Sequence, residues 1–134
     1  AEVAEATADG VRLVGFSDQP ESYYAAADLF VLASHREGFP RAAMEASALG
    51  LPVIATDLRG CRQVVDDGVT GMLVPVKDAA GLERALRSLL ADPARRHAMG
   101  AAAAQRARDR FDQQNQIDLT LETYRRLLPE RAPS

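Results

Sequence analysis

Two acids and a glycine around one turn are the first residues in this chain with the makings of a ligand site. In REGFPRAAMEASALGLPVIATD, residues 36–57, Glu37 and Glu45 bracket a turn and the first half of a helix, with apolar runs beyond. Ionised carboxylates only accept hydrogen bonds, and each can take two hydroxyl donors, so a pair of them suits diols. Gly38 carries no side chain, which lets a phosphate or sugar approach the backbone. Pro40 fits the first helical turn, where its missing N–H would be unpaired anyway. The amides of Gly38, Phe39, Arg41 and Ala42 then surround the helix entrance. Unpaired amides and the positive end of the helix dipole together attract an anion. Glu45 stands about one and a half turns inside, so the helical part of the separation is ~8 Å. That span suits one acid holding a hexose and the other a ribose, with a pyrophosphate over the helix mouth.

Plainer roles fit the same letters. Arg41 and Glu45 are four residues apart and can pair on a helix surface for a few tenths of a kcal/mol. Glu37 just before a helix N-terminus is electrostatically favoured with no ligand present. Spacing by itself leaves both readings open.

The elements that would position these residues alternate. VRLVG, 11–15, has the apolar, β-branched character of a strand, with Gly15 as the turn signal. PESYYAAA, 20–27, reads as a short helix with proline near its start. LFVLA, 29–33, is the continuous apolar run of a strand buried on both faces. The loop SHREGF leads into a helix from Pro40 to about Leu49, ended by Gly50. PVIAT, 52–56, is the next buried strand; residues 60–66 form a short helix, and MLVP, 72–75, a fourth strand. Asp78 caps a helix to about Leu90. Asp92-Pro93 begins another that ends near Phe111, and Asp112 a third with Ile117, Leu121, Tyr124 and Leu128 on one stripe. The tail PERAPS is expected to fray. Strands alternating with helices predict an α/β, Rossmann-like parallel sheet with helices on both faces, followed by C-terminal helices. In such sheets ligands sit beyond the carboxyl ends of the strands, and SHREGF is one such end.

Composition narrows the classes. A length of 134 residues is that of one domain or part of a larger one. The net charge of −3 argues against nucleic acid as a partner. Cys61 is the one cysteine, which points to a reducing compartment and away from a structural zinc site. No apolar run approaches the ~20 residues of a membrane span. The start, AEVAEATADG, lacks the basic and apolar regions of a signal peptide and reads as a chain met in mid-helix.

The ordered set of fragments resembles a known family. EGFPRAAME followed by ASALGLPVIATDLRGCRQVVDDGVTGMLVP looks like the donor-binding half of retaining GT-B glycosyltransferases of family 4 (glycosyltransferases group 1). That family carries a Glu, seven residues and a second Glu, then GLPV, a glycine loop and DGVTGxLV. YYAAADLFVLAS is similar to the segment that precedes them. The resemblance runs from about Val11 to Leu90. It implies a partial nucleotide-sugar-binding domain over 1–92 and a C-terminal helical extension of the same domain over 93–134. It further implies that Glu37 is the catalytic-site acid that accepts hydrogen bonds from the donor hexose. The Gly38 and Phe39 amides meet the sugar or distal phosphate, with Arg41 and Ala42 beside them. Glu45 holds the ribose hydroxyls, and Gly15 and Phe16, ending the first strand, pack and hydrogen-bond the base.

On this resemblance the activity is transfer of a hexosyl or N-acetylhexosaminyl group to a glycan or lipid acceptor. No metal and no cofactor are needed, and the expected donor is a nucleoside-diphosphate sugar, UDP-linked by preference. Pro40 stands where the family commonly has glycine. The family's phosphate-binding Arg and Lys are expected in a strand-loop segment upstream of this sequence, and its N-terminal acceptor domain, the expected partner, is not in this sequence. The chain alone is therefore expected to be inactive. The expected location is the cytoplasm, with peripheral contact to the inner membrane face through that acceptor domain. The alternative is a non-catalytic nucleotide-binding or interaction module on the same fold.

Several other residues have competing roles. Arg36 could add phosphate charge or be plain surface, and Asp57 and Arg59 could line the cleft. His35 is a lone loop histidine. Cys61 opens a short helix, which would lower its pKa somewhat, but an inert structural role is the favoured reading. His97, Arg95 and Arg96 read as a solvated helical face.

Overall fold

A computed structural model describes residues 10–128. The expected start in mid-helix and the PERAPS tail lie outside those residues. Six helices and three strands follow in order: α1 (Pro20–Ala25), β1 (Phe30–Leu32), α2 (Arg41–Ala48), β2 (Val53–Thr56), α3 (Arg59–Val64), β3 (Gly71–Val74), α4 (Ala79–Leu90), α5 (Pro93–Phe111) and α6 (Gln113–Leu127). The strands pair in parallel, in the order β1-β2-β3, with Phe30 beside Val53 and Val53 beside Gly71.

β2 is the centre, buried at all four residues. Successive side chains of a strand point to opposite faces, and here each face has a helical cover. Val53 and Ala55 pack with Ala43 and Ala46 of α2 and Cys61 and Val64 of α3. Ile54, on the other face, packs with Ala85 and Leu89 of α4 and Met99 of α5. The expectation of a parallel sheet covered on both sides is met. β1 divides the same way, Phe30 and Leu32 to one cluster and Leu29 and Val31 to the other, yet its residues are only half-buried. It forms one edge of the sheet among the described residues, so LFVLA meets a core cluster on each face, as expected, without the complete burial of β2.

VRLVG is also a correction. Residues 11–16 form no strand, and Val11, Leu13 and Val14 are exposed. A strand needs a neighbour to take its backbone donors and acceptors. In the doubly wound order 3-2-1-4-5-6 the strand before the fourth pairs with the second, not with the fourth. Read as the fourth, fifth and sixth strands of that order, β1, β2 and β3 do not include the partner of VRLVG, and the second strand of that order is not among the described residues.

Helix boundaries follow their caps. Asp78 accepts from the Gly81 amide at 2.8 Å and starts α4, as its sequence position predicts. Asp92 caps α5 through Arg95 N, and Asp112 caps α6 through Gln114 N and Asn115 N. α5 does the most to join the layers. Met99 belongs to the α4 side, whereas buried Ala103 and Ala107 lie further along the same helix, which runs against α2. Its backbone comes close to the turn after α2: a Cβ placed on Gly100 would sit 2.1 Å from Gly50 O. Its arginines close other helices. Arg96 Nη1 donates to Leu89 O and Leu90 O at 2.8 Å, at the end of α4. Arg106 donates to Val64 O at 3.1 Å and to Gln63 O at 3.2 Å, at the end of α3. The stripe expected on α6 faces solvent, and no residue of that helix is buried.

Candidate functional site

The segment 33–40 leaves the carboxyl end of β1 and delivers the chain to α2. Pro40 is the residue before the helix, with an extended ψ of 95°, so the helix proper begins at Arg41, one residue later than expected. No side chain caps this entrance. Gly38 is exposed, and a Cβ there would meet nothing within 4 Å, so the main chain is open to approach from that side. Phe39 turns away from the entrance to meet Phe111 at the end of α5, ring centroids 5.7 Å apart and edge-to-face. A cavity of about 520 Å³ lies behind that pair, bordered by Met44, Arg62 and Gln116 among others.

Glu37 is half-buried, and Ser34 Oγ donates to its Oε1 at 2.7 Å. The loop is fixed from below by Thr56, at the end of β2, whose hydroxyl donates to Ser34 O at 2.7 Å. α3 fixes it from the side. Gly60, the second residue of that helix, leaves no space for a Cβ, which would lie 2.6 Å from Glu37 O and 2.5 Å from Gly38 O. Ser34, Thr56 and Gly60 were not singled out by the sequence reading. The one signal for the serine is its place as the last residue of YYAAADLFVLAS, the segment similar to that preceding the family's motif.

Glu45 lies on α2 itself. Arg41 Nη2 stands 3.9 Å from its Oε1, so the helix-surface pair weighed above does form, in a largely solvated setting where it contributes little. On its other side is Tyr24 of α1, whose ring packs edge-to-face on Phe30. Burial, and next the Glu45 carboxylate, push the Tyr24 phenol above its ordinary pKa. Glu45 borders a groove with Met44, Ala48, Phe111 and Asp112, a lining that does not include Glu37. The two acids thus occupy the two ends of one loop–helix unit, each with a hydroxyl neighbour.

The remaining expectations fall as follows. Gly15 adopts a positive φ of 68°, and Phe16 is 96 % exposed; both precede α1 in the unpaired segment and not at the end of a strand. His35 borders a cavity of about 190 Å³ at the carboxyl ends of the strands, with Thr56, Val74 and Lys77. Arg36 and Arg59 are exposed. Asp57 is held by Arg62, Nε to Oδ1 at 2.6 Å, and this bond lowers its pKa. The pair is therefore present above the ordinary carboxylate range and is lost only as the pH falls through the depressed value. Arg95 and His97 are solvent-exposed as expected, whereas Arg96 is not: its side chain is 15 % exposed and caps α4. No three or more His, Cys, Asp or Glu side chains gather into a metal-binding group among the described residues. No helix there is long and apolar enough to cross a membrane.

Cys61 takes the inert structural place expected of it, and only the expected lowering of its pKa needs correcting. It is completely buried, and burial, then the Glu37 charge, raise its thiol pKa, against the lowering expected from a helix start. Desolvation outweighs the dipole of a six-residue helix. Labelling by iodoacetamide at pH 7.5 should therefore run at least ~10-fold slower than in the urea-unfolded chain. Equal rates in a stopped-time alkylation assay would contradict this.

Residues 3–106 match the profile of the family described as "Glycosyl transferases group 1". The chain belongs to this family. Among curated relatives, it is 45 % identical over 118 residues to the D-inositol 3-phosphate glycosyltransferase of Kineococcus radiotolerans, covering 82 % of this chain and 27 % of that protein. It is 38 % identical over 115 residues to the glycogen synthase of Mycobacterium tuberculosis, covering 84 % and 28 %. The chain thus spans about a quarter of the length of the curated relatives it matches. Among solved structures, the sucrose-phosphate synthase of Thermosynechococcus elongatus superposes with a TM-score of 0.83 at 36 % identity, over 89 % of this chain and 30 % of that one. Anabaena Alr3699/HepE in complex with UDP-glucose gives 0.78 at 29 % identity, over 84 % and 32 %. The three-stranded parallel sheet with its helices is that of the GT-B glycosyltransferases.

Proposed function

We propose that this chain is the donor-binding part of a retaining glycosyltransferase of family 4. The full enzyme moves a hexosyl or N-acetylhexosaminyl group from a nucleoside-diphosphate sugar to a glycan or lipid acceptor. The observation that carries the reading is the loop–helix unit at the carboxyl rim of the sheet. It sets an open glycine, an uncapped helix entrance and an acid at each end, in a chain of this family. Support for the donor class comes from HepE, whose structures hold UDP or UDP-glucose.

In this reading Glu37 accepts hydrogen bonds from hydroxyls of the hexose and orients it, and does not act as a nucleophile. The Gly38 and Phe39 amides, with those of Arg41 and Ala42, stabilise charge on the departing diphosphate. Glu45 takes the two ribose hydroxyls, exchanging its weak bond to Arg41 for them. Gly15 and Phe16 meet the base; Phe16, almost fully exposed, has a whole ring face to offer. The acceptor hydroxyl attacks from the face the diphosphate leaves, held by an N-terminal acceptor domain. The reaction needs neither metal nor cofactor, and the enzyme works in the cytoplasm, in peripheral contact with the membrane through that domain.

Calorimetry on the full-length protein with UDP-, GDP- and ADP-linked sugars tests the donor class, with UDP-sugars expected to bind most tightly. Binding and transfer should persist in EDTA. A protein that binds none of these sugars, or that loses transfer on chelation, would contradict the proposal.

A further inference from the structure

Glu37 is fixed at both of its ends by different elements. Its main chain is pressed against α3 at Gly60, where no Cβ fits. Its carboxylate is fixed by Ser34, at 2.7 Å, and Ser34 is fixed by the buried hydroxyl of Thr56, also at 2.7 Å. Thr56 belongs to the central strand, the best-buried element of the fold. The line Thr56–Ser34–Glu37 therefore runs from the rigid core to the exposed rim.

We propose that Ser34 is a positioning residue for sugar recognition: its hydroxyl occupies one face of Glu37 Oε1 and so decides which carboxylate lone pairs meet the hydroxyls of the donor hexose. This rests on the donor-site reading above. A carboxylate offers about four lone-pair sites on two oxygens. One is taken by the Ser34 proton, and the terminal torsion of glutamate, broad and roughly two-fold when free, is held in one setting. The remaining sites point in fixed directions, which is what telling one ring epimer from another requires. With Ser34 removed, Glu37 keeps its charge and its place in the loop and loses its orientation. The nucleotide, bound elsewhere on the unit, is unaffected.

The experiment uses the full-length enzyme and compares UDP with UDP-glucose, or with the tightest-binding member of the donor panel. Ser34→Ala should weaken the nucleotide sugar about 5–30-fold, leave UDP within about twofold, and compress the kcat/KM ratio between epimeric donors. Ser34→Thr keeps the hydroxyl and should restore most of the affinity. In a Glu37→Ala background, Ser34→Ala should add no further loss, because the coupling runs through that carboxylate. Thr56→Val, which removes the upstream bond together with the long one to Leu32 O, should give a smaller loss in the same direction. It supplies the answer if Ser34→Ala lowers thermal stability.

A Ser34→Ala protein that binds UDP and UDP-glucose equally badly overturns the proposal, as does one whose loss is undiminished without Glu37. Unchanged sugar affinity in Ser34→Ala, beside a strongly impaired Glu37→Ala, also overturns it while leaving the donor site standing. An unimpaired Glu37→Ala removes both.

Discussion

Replacing Glu37 with alanine in the full-length enzyme is expected to lower kcat/KM for the donor about 10- to 150-fold. The range comes from the loss of hydrogen bonds to a charged group, about 1.5–3 kcal/mol, converted at ~1.36 kcal/mol per tenfold. In the proposed site the loss should appear both in donor affinity and in kcat, because the acid holds the hexose and also orients it for departure of its diphosphate, and misorientation is felt at the transition state. UDP affinity should change little. Glu45→Ala should act differently, raising KM for the donor by roughly tenfold with a smaller effect on kcat, as expected for an acid that grips the ribose far from the reacting bond. Its bond to Arg41 is too weak and too solvated to make that loss a matter of folding. Steady-state kinetics with both variants separates the two roles, and near-normal transfer in both would remove the basis of the donor assignment.

The other large effect concerns the scaffold. Gly100→Ala is a change that, in an ordinary helix interior, stabilises by about 1 kcal/mol. Here the new Cβ would come within 2.1 Å of Gly50 O and 3.1 Å of Gly50 C. The carbonyl cannot easily retreat. Gly50 has a positive φ of 82°, and the turn is tied by Gly50 N to Ser47 O and Leu51 N to Ala46 O, each 3.0 Å. Pushing α5 outward instead would open the contact of the whole helix with α2. The clash should therefore win, with a net loss of about 2 kcal/mol or more and a melting temperature lower by roughly 5–10 °C. A stabilised Gly100→Ala protein in a thermal melt would show that the two backbones are further apart than described.

Much of this was legible in the residues because it depends on neighbours in sequence. The run PVIAT can only be a strand with both faces covered, and Asp78, Asp92 and Asp112 announce their helices by local chemistry. The acid pair could be read as a unit because a loop and one helix carry both members. What stayed hidden depends on distant partners. VRLVG has every local property of a strand and lacks only its partner strand among the described residues. Ser34 and Thr56 are 22 residues apart, and nothing in either stretch states that one hydroxyl will set the other's carbonyl. Gly60 looks like an unremarkable early helical residue until the Glu37–Gly38 backbone is seen against it. The inert role of Cys61 is legible, but the direction of its pKa is not, since the burial that raises it is supplied by the sheet and α2.

The guanidinium groups of α5 have a practical meaning for anyone shortening this protein. A version ending near residue 92 would shed only what looks like an appended tail. Yet it would strip the final carbonyls of two other helices of their arginine donors, and would bare the alanine face beneath them. Such a trimmed protein should be recovered as insoluble or protease-sensitive material, whereas one retaining Arg106 and the turns after it should stay intact under limited trypsin digestion.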